Sequence, residues 1–220
     1  MSTMNVEQAR WNMIEHQIRP WEVLDQDVLD LLYAVKREDF VPAAYRMLAF
    51  SDLEIPIGQG EHMWPPKLEA RVMQELSLKA TDQVLEVGTG SGYFTALLAR
   101  LAQHVYSVEI QPELKALAES NLRRAGVANV TLELGDAALG WTKHAPYDVI
   151  VLTGSTPALP QQLLQQLKPG GRLFAVVGEP PVMAARLVTC TGEGSYSSID
   201  FLETSIAPLT NALAGERFSF

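Results

Sequence analysis

The chain is poor in the residues that build disulfides, metal centres and nucleic-acid surfaces. It has a single cysteine, Cys190, which excludes an internal disulfide. That residue sits in the apolar run ARLVTC and reads as a buried core thiol. One cysteine and four dispersed histidines offer no metal-ligand spacing, so no metal is expected. Basic residues are scarce: 17 Lys and Arg stand against 26 Asp and Glu, a formal net charge of −9. No basic run is longer than the pair Arg123-Arg124. A chain of this sign repels phosphate backbones, which disfavours nucleic acid as a partner. No apolar run approaches the ~20 residues that cross a bilayer. The N-terminal stretch MSTMNVEQARWNMIEHQIRP is broken by charges and lacks the apolar core of a signal peptide. The expectation is a soluble cytoplasmic monomer with no membrane partner; Met4 is a candidate alternative start.

What the chain does have is apolar residues, 47% of 220, enough for one domain with a sizeable core and an appended subdomain. Its texture changes near residue 78. Before that point it reads as helices and loops. Val6 to Ile18 has helical spacing and stops at Arg19-Pro20. Asp25 caps a second helix with the face Val28, Leu29, Leu32 and Val35. Residues 51–66, SDLEIPIGQGEHMWPP, read as a loop, and a helix follows over Lys67 to Leu76. Beyond it, strand-like runs (QVLEV, HVYSVEI, NVTLELGD, YDVIVLTG, GRLFAVVG, AARLVTCT) alternate with helical ones (YFTALLARLA, QPELKALAESNLRRAG, LPQQLLQQL). This pattern predicts an α/β fold, a mostly parallel sheet with helices on both faces. The late segments AARLVTCT and SIDFLETSIAPL have no helix between them and predict an antiparallel hairpin at the C-terminal edge of the sheet. The division expected is an N-terminal helical and loop subdomain, 1–78, packed on a ligand-binding domain, 79–220.

The sharpest signal is QVLEVGTGSGY, read with Glu109. A short apolar strand runs into Gly88, Gly90 and Gly92, an amphipathic helix follows, and the next strand ends in an acid. α/β proteins build nucleotide pockets this way, with the acid accepting both ribose hydroxyls. A dinucleotide fingerprint needs a third glycine where Tyr93 stands. That argues against a nicotinamide-dependent oxidoreductase. Glu86, two residues before the first glycine, suits an ammonium group rather than a diphosphate. S-adenosylmethionine has an amino-acid tail, a ribose and an adenine, and no phosphate. In an open sheet the ligand lies outside the carboxyl ends of the strands. Those ends supply Glu86, Gly88, Thr89, Gly90, Ser91 and Gly92, then Glu109 and Ile110, then Asp136 and Ala137, then Thr153. Glu109 is expected to hold the ribose, Asp136 to accept from the adenine amino group and Ile110 to flank the ring. Tyr93 is placed to brush the ligand's tail. Trp11, Trp21 and Trp141 read as packing anchors.

With these pieces in hand, the chain resembles the protein-L-isoaspartate O-methyltransferase family over nearly its whole length. The resemblance is carried by MIEHQIRP, REDFVP, IPIGQG, VLEVGTGSGY, VYSVEI, GDAALGW, QLKPGGRL and SIAPLT. It implies a Rossmann-like methyltransferase fold with N- and C-terminal additions. It also implies methyl transfer from S-adenosylmethionine to the α-carboxyl of isoaspartyl residues in damaged proteins, which starts repair through a succinimide. One loop departs from the family. After I-G-x-G the family usually reads Gln-Thr-Ile-Ser, and its hydroxyls line the place where donor and substrate carboxylate meet. Here those positions are Glu61, His62, Met63 and Trp64. His62 and Trp64 can supply the missing hydrogen-bond donors, and they are the candidate catalytic residues. The alternatives are a methyltransferase of the same fold with another protein or small-molecule acceptor, and a protein that holds the cofactor without turnover.

Overall fold

Apolar runs bounded by glycine and proline become the strands of a seven-stranded sheet. The structure, a computed structural model, describes residues 5–213, so Met4 and residues 214–220 lie outside the described residues. In chain order the elements are α1 (Val6–Met13), α2 (Gln26–Ala34), β1 (Ile55–Gly58), β2 (Glu61–Met63), α3 (Pro66–Leu76), β3 (Gln83–Val87) and α4 (Tyr93–Leu101). They continue with β4 (His104–Glu109), α5 (Pro112–Arg124), β5 (Val130–Leu134), β6 (Tyr147–Leu152), α6 (Gln161–Leu164), β7 (Leu167–Glu179), β8 (Val182–Gly192) and β9 (Ser195–Glu203). The sheet order is β5-β4-β3-β6-β7-β8-β9. The first five strands run parallel, and β8 and β9 complete an antiparallel edge. The mostly parallel sheet with an antiparallel C-terminal edge is the architecture that the alternating pattern implied. Because β3 pairs with β4 on one side and β6 on the other, chain direction switches at its carboxyl end, where such sheets place ligands.

Strand alternation sorts the core into two layers. Val84, Val105, Val149, Val151, Phe174 and Val176 face helices α1 to α5, and the N-terminal elements share this apolar core with the sheet. Leu85, Val87, Ile150, Leu152 and Leu173 face the other way. Helices were expected on both faces, but this second face has only the four-residue α6 and an irregular segment from Gly135 to Pro146. Trp141 holds that segment: its ring lies where a Cβ on Gly135 would approach within 2.6 Å, and its indole N–H donates to Glu133. Trp141 is thus a packing anchor, whereas Trp11 and Trp21 are 44% and 39% exposed.

Two local expectations are corrected. The first helix is α-helical only to Met13; a π-helical turn (Ile14–Ile18) and a 3-10 turn (Arg19–Trp21) follow, around a proline that has no amide to donate. Residues 51–66 are not all loop. Ile55 pairs with Met63 and Pro56 with His62 in a hairpin. Gln59 and Gly60 both take positive φ, 56° and 83°, the backbone of a two-residue type I′ turn that matches strand twist.

A buried cation locks this hairpin to the core. Arg37, 1% exposed, pairs with Glu69 of α3 and donates to the Trp64 carbonyl at 2.7 Å. Its guanidinium lies 5.0 Å from the centre of the Tyr93 ring. Arg37→Met should lower the free energy of unfolding by about 3 kcal/mol, because Glu69 is left buried without its counter-charge. Urea unfolding measures this, and a wild-type midpoint and slope would contradict it.

Candidate active site

The glycine loop turns sharply because its neighbours leave no room for side chains. Gly88 has φ +96°, and a Cβ there would lie 2.2 Å from the Thr153 hydroxyl oxygen. That hydroxyl sits 2.8 Å from the Val87 carbonyl and 2.7 Å from that of Gly88, which ties the loop to the end of β6. On the other side, Glu109 ends β4 and accepts from the Gly90 amide and the Gln111 amide, each at 3.0 Å. The carboxylate is therefore oriented before any ligand arrives, with lone pairs left to accept hydroxyls.

A cleft with about 900 Å³ of empty space, its mouth included, opens over this loop. Gly88, Thr89, Gly90, Ser91, Glu109, Ile110 and Thr153 line it, as sequence reasoning placed them. A smaller cleft continues past Ile110 to Asp136 and Ala137, sharing Gly88, Glu109, Leu209 and Thr210 with the first. The structure thus brings the ribose acid and the adenine-end candidates into one continuous groove. Asp136 also works on its own turn: one oxygen accepts from the Ala138 amide at 3.0 Å, the other from the Asn211 side chain at 2.8 Å.

Two candidates fall elsewhere. Gly92 lines neither cleft. It begins α4 at φ +82°, and a Cβ there would press on Ala118 and Leu122 of α5 at 3.2–3.4 Å, so it serves helix packing. Glu86 lines neither cleft and is fully buried, pointing with Val84 toward α4. One of its oxygens accepts from Thr95 at 2.5 Å and Ser107 at 2.6 Å; the other has no partner among the described residues. Burial pushes this carboxyl up to about 8 against the pull of the two hydroxyls. Glu86 supports the loop from beneath, through Ser107, whose hydroxyl meets that of Thr89 at 2.6 Å.

The hairpin forms the opposite wall. Glu61, His62, Met63 and Trp64 all line the larger cleft. His62 is exposed. Trp64 is 7% exposed and packs against Phe94 and Phe174 at ring-centre distances of 5.3 and 5.9 Å. It is both a core residue and a wall of the site. Burial, then Glu109, raises the Glu61 carboxyl above its ordinary range, and His62 opposes this. Sequence reasoning missed the segment Ile206 to Thr210, which lines the cleft from beyond the last strand. Ser155 anchors it, donating to the Ala207 carbonyl and accepting from the Leu209 amide, both at 2.9 Å. Among the described residues, no Lys or Arg lines either cleft. The donor set fits a cationic nucleoside and does not fit a diphosphate. Among the described residues, no cluster of His, Cys, Asp and Glu could hold a metal ion, and no helix is long and apolar enough to cross a membrane.

The profile of the protein-L-isoaspartate(D-aspartate) O-methyltransferase family matches residues 8–214. The chain belongs to this family. Protein-L-isoaspartate O-methyltransferase 2 of Pelobacter propionicus is 40% identical over 212 residues, 96% of this chain and 94% of that one. The Myxococcus xanthus protein-L-isoaspartate O-methyltransferase is 46% identical over 156 residues, 71% of this chain and 74% of its own. A solved protein-L-isoaspartate O-methyltransferase superposes with a TM-score of 0.77 at 26% identity, covering 94% of this chain and 66% of that longer one. A Plasmodium falciparum structure assigned to the same methyltransferase, in complex with S-adenosyl-L-homocysteine, gives a TM-score of 0.77 at 18% identity over 94% and 99% of the two chains. The Rossmann-like methyltransferase fold of the family is thus the fold of this chain.

Glu86 makes ligand-free stability pH-dependent. Its carboxyl holds a proton in the folded state up to about 8 and in the unfolded state only up to 4.5. Between these values the folded form binds the extra proton, so stability falls as pH rises. Its contribution is fully present below about 4.5 and lost as pH passes about 8. Glu86→Gln should remove this slope, at most about 1.4 kcal/mol per pH unit. Parallel stability-versus-pH curves for the two proteins would refute it.

Proposed function

We infer that this chain is an S-adenosylmethionine-dependent O-methyltransferase that methylates the α-carboxyl of isoaspartyl residues in damaged proteins, the first step of their repair. The observation that carries this reading is the family match over residues 8–214, which spans both walls of the cleft. The cofactor is S-adenosylmethionine, which supplies an electrophilic methyl on a sulfonium. Glu109 would hold the ribose, Gly88 and Gly90 would admit the nucleoside without Cβ collisions, and Thr89, Ser91 and Thr153 would face its tail. Ile110, Asp136 and Ala137 would enclose the adenine. We divide the work in the same way: residues 79–220 carry the donor, and residues 1–78 act as the acceptor-side subdomain.

Methyl transfer is an in-line displacement, so the protein's tasks are alignment and exclusion of water. A carboxylate acceptor is already ionised at neutral pH and needs no general base. Ile57, Trp64, Tyr93 and Phe94 provide apolar walls. His62 and Trp64 are the residues placed to donate to the acceptor carboxylate where the family has hydroxyls. Trp64 makes no indole hydrogen bond among the described residues, which leaves that N–H available. The acidic composition and lone cysteine suit a reducing aqueous compartment. We place the enzyme in the cytoplasm, acting as a monomer on peptides rather than on nucleic acid or membranes.

The decisive assay offers labelled S-adenosylmethionine to an isoaspartyl peptide and to its normal aspartyl twin, with donor binding measured in the same sample. Selective labelling of the isoaspartyl peptide is expected; donor binding with neither peptide labelled would overturn the acceptor assignment. Glu109→Ala should weaken donor binding about 100-fold, the loss of two charge-assisted hydrogen bonds, and unchanged affinity by calorimetry would sink the ribose role. His62→Ala should lower kcat/KM for the peptide about tenfold with donor affinity unchanged. Full turnover would remove His62 from the mechanism.

A further inference from the structure

The acceptor assigned above is an anion, yet the cleft that receives it has an acidic lining. Glu54, Glu61, Glu69 and Glu109 line it, and no Lys or Arg among the described residues does. Two of these are committed elsewhere. Glu69 is paired with Arg37, and Glu109 is held by two backbone amides at the donor end. Glu54 and Glu61 form no ion pair among the described residues and stand on the hairpin side of the cleft, where a peptide must enter. Burial and then Glu109 raise the Glu61 carboxyl, His62 opposes them, and no guanidinium or ammonium among the described residues pairs with it. A carboxylate facing an incoming carboxylate is unfavourable unless something offsets it. The donor's sulfonium offsets part, and a cation carried by the acceptor itself can offset the rest.

We propose that Glu61, assisted by Glu54, is a specificity-determining residue that selects isoaspartyl peptides with a Lys or Arg beside the damaged residue and rejects those with acidic flanks. The proposal rests on the isoaspartyl reading and adds to it the charge that the cleft asks of the acceptor. The attraction acts on the flanking side chain, not on the reacting carboxylate, and so appears in KM and in kcat/KM. Rejection of acidic flanks follows from the same charges, since a third carboxylate in a partly desolvated cleft has no partner. Between partly exposed groups the effect is electrostatic and screened by salt.

The test uses three isoaspartyl peptides identical except for the residue after the isoaspartate, which is Lys, Gln or Glu. Their similar lengths keep shape nearly constant. The wild-type kcat/KM should rank Lys above Gln above Glu, with about tenfold between the extremes, and the spread should shrink in 0.5 M salt, where screening is short-ranged. Glu61→Gln should compress the spread to about twofold or threefold, and Glu61→Gln with Glu54→Gln should abolish it. Donor affinity is measured for each variant, so that a general loss of folding is distinguished from a change in ranking. Equal kcat/KM for the three peptides in the wild type, or a ranking unaltered by Glu61→Gln, overturns the proposal while leaving the isoaspartyl activity standing. No methylation of any of the three by protein that binds the donor overturns the isoaspartyl reading, and this inference with it.

Discussion

Glu109 ends a central strand with each carboxylate oxygen held by a backbone amide, and one of those amides is Gly90 of the glycine loop. This bond spans two adjacent strands. It sets the loop's height above the sheet, and with it the start of α4, whose Tyr93 and Phe94 form the inner wall of the cleft. Thr153 closes the loop from the opposite strand, with its hydroxyl against two successive carbonyls. A loop held from both sides has one conformation available. The carboxylate proposed to receive the ribose therefore needs little reorganisation.

The acceptor side is built differently. A short hairpin has few hydrogen bonds of its own and is marginal alone. Here the buried Arg37 supplies the missing constraint, bridging the Trp64 carbonyl, Glu69 of α3 and the face of Tyr93. Burial raises the Glu69 carboxyl and the guanidinium pulls it back, so the pair holds its place in a region with little water. Donor loop and acceptor hairpin are joined through that one cation. The second strand of the hairpin and the residue after it, Glu61 to Trp64, are thereby held in place: Glu61 and His62 line the cleft while Trp64 packs against Phe94 and Phe174.

The glycine-loop wall of the cleft was legible in the chain because it is local. Glycine spacing, the strand before it and the acid after the next strand lie in one continuous stretch, and each has a single structural reading. Spacing points Gly92 to the ligand, and spacing together with charge points Glu86 there. The period of two in β3 puts Glu86 on the Val84 side, away from the cleft, and Gly92 answers to a helix that begins twenty residues later. The hairpin was hidden because its strands are short and its turn reads Gln-Gly, a weaker signal than Asn-Gly. Nothing in the sequence pointed to Ile206–Thr210 as cleft lining, since only the return of the chain past Ser155 carries it there.

By itself the sequence determined the architecture, the order of strands and helices, the glycine loop with the acid that follows it, and the departure at residues 61–64. These follow from periodicity, from glycine's freedom at positive φ and from charge, all properties of neighbours in the chain. The tertiary structure decided which carboxylates face the ligand and which are buried, what holds the hairpin, and that the cleft is acidic on its acceptor side. Those outcomes depend on contacts between residues tens of positions apart, such as Arg37 with Glu69 and Ser155 with Ala207, which no local pattern encodes.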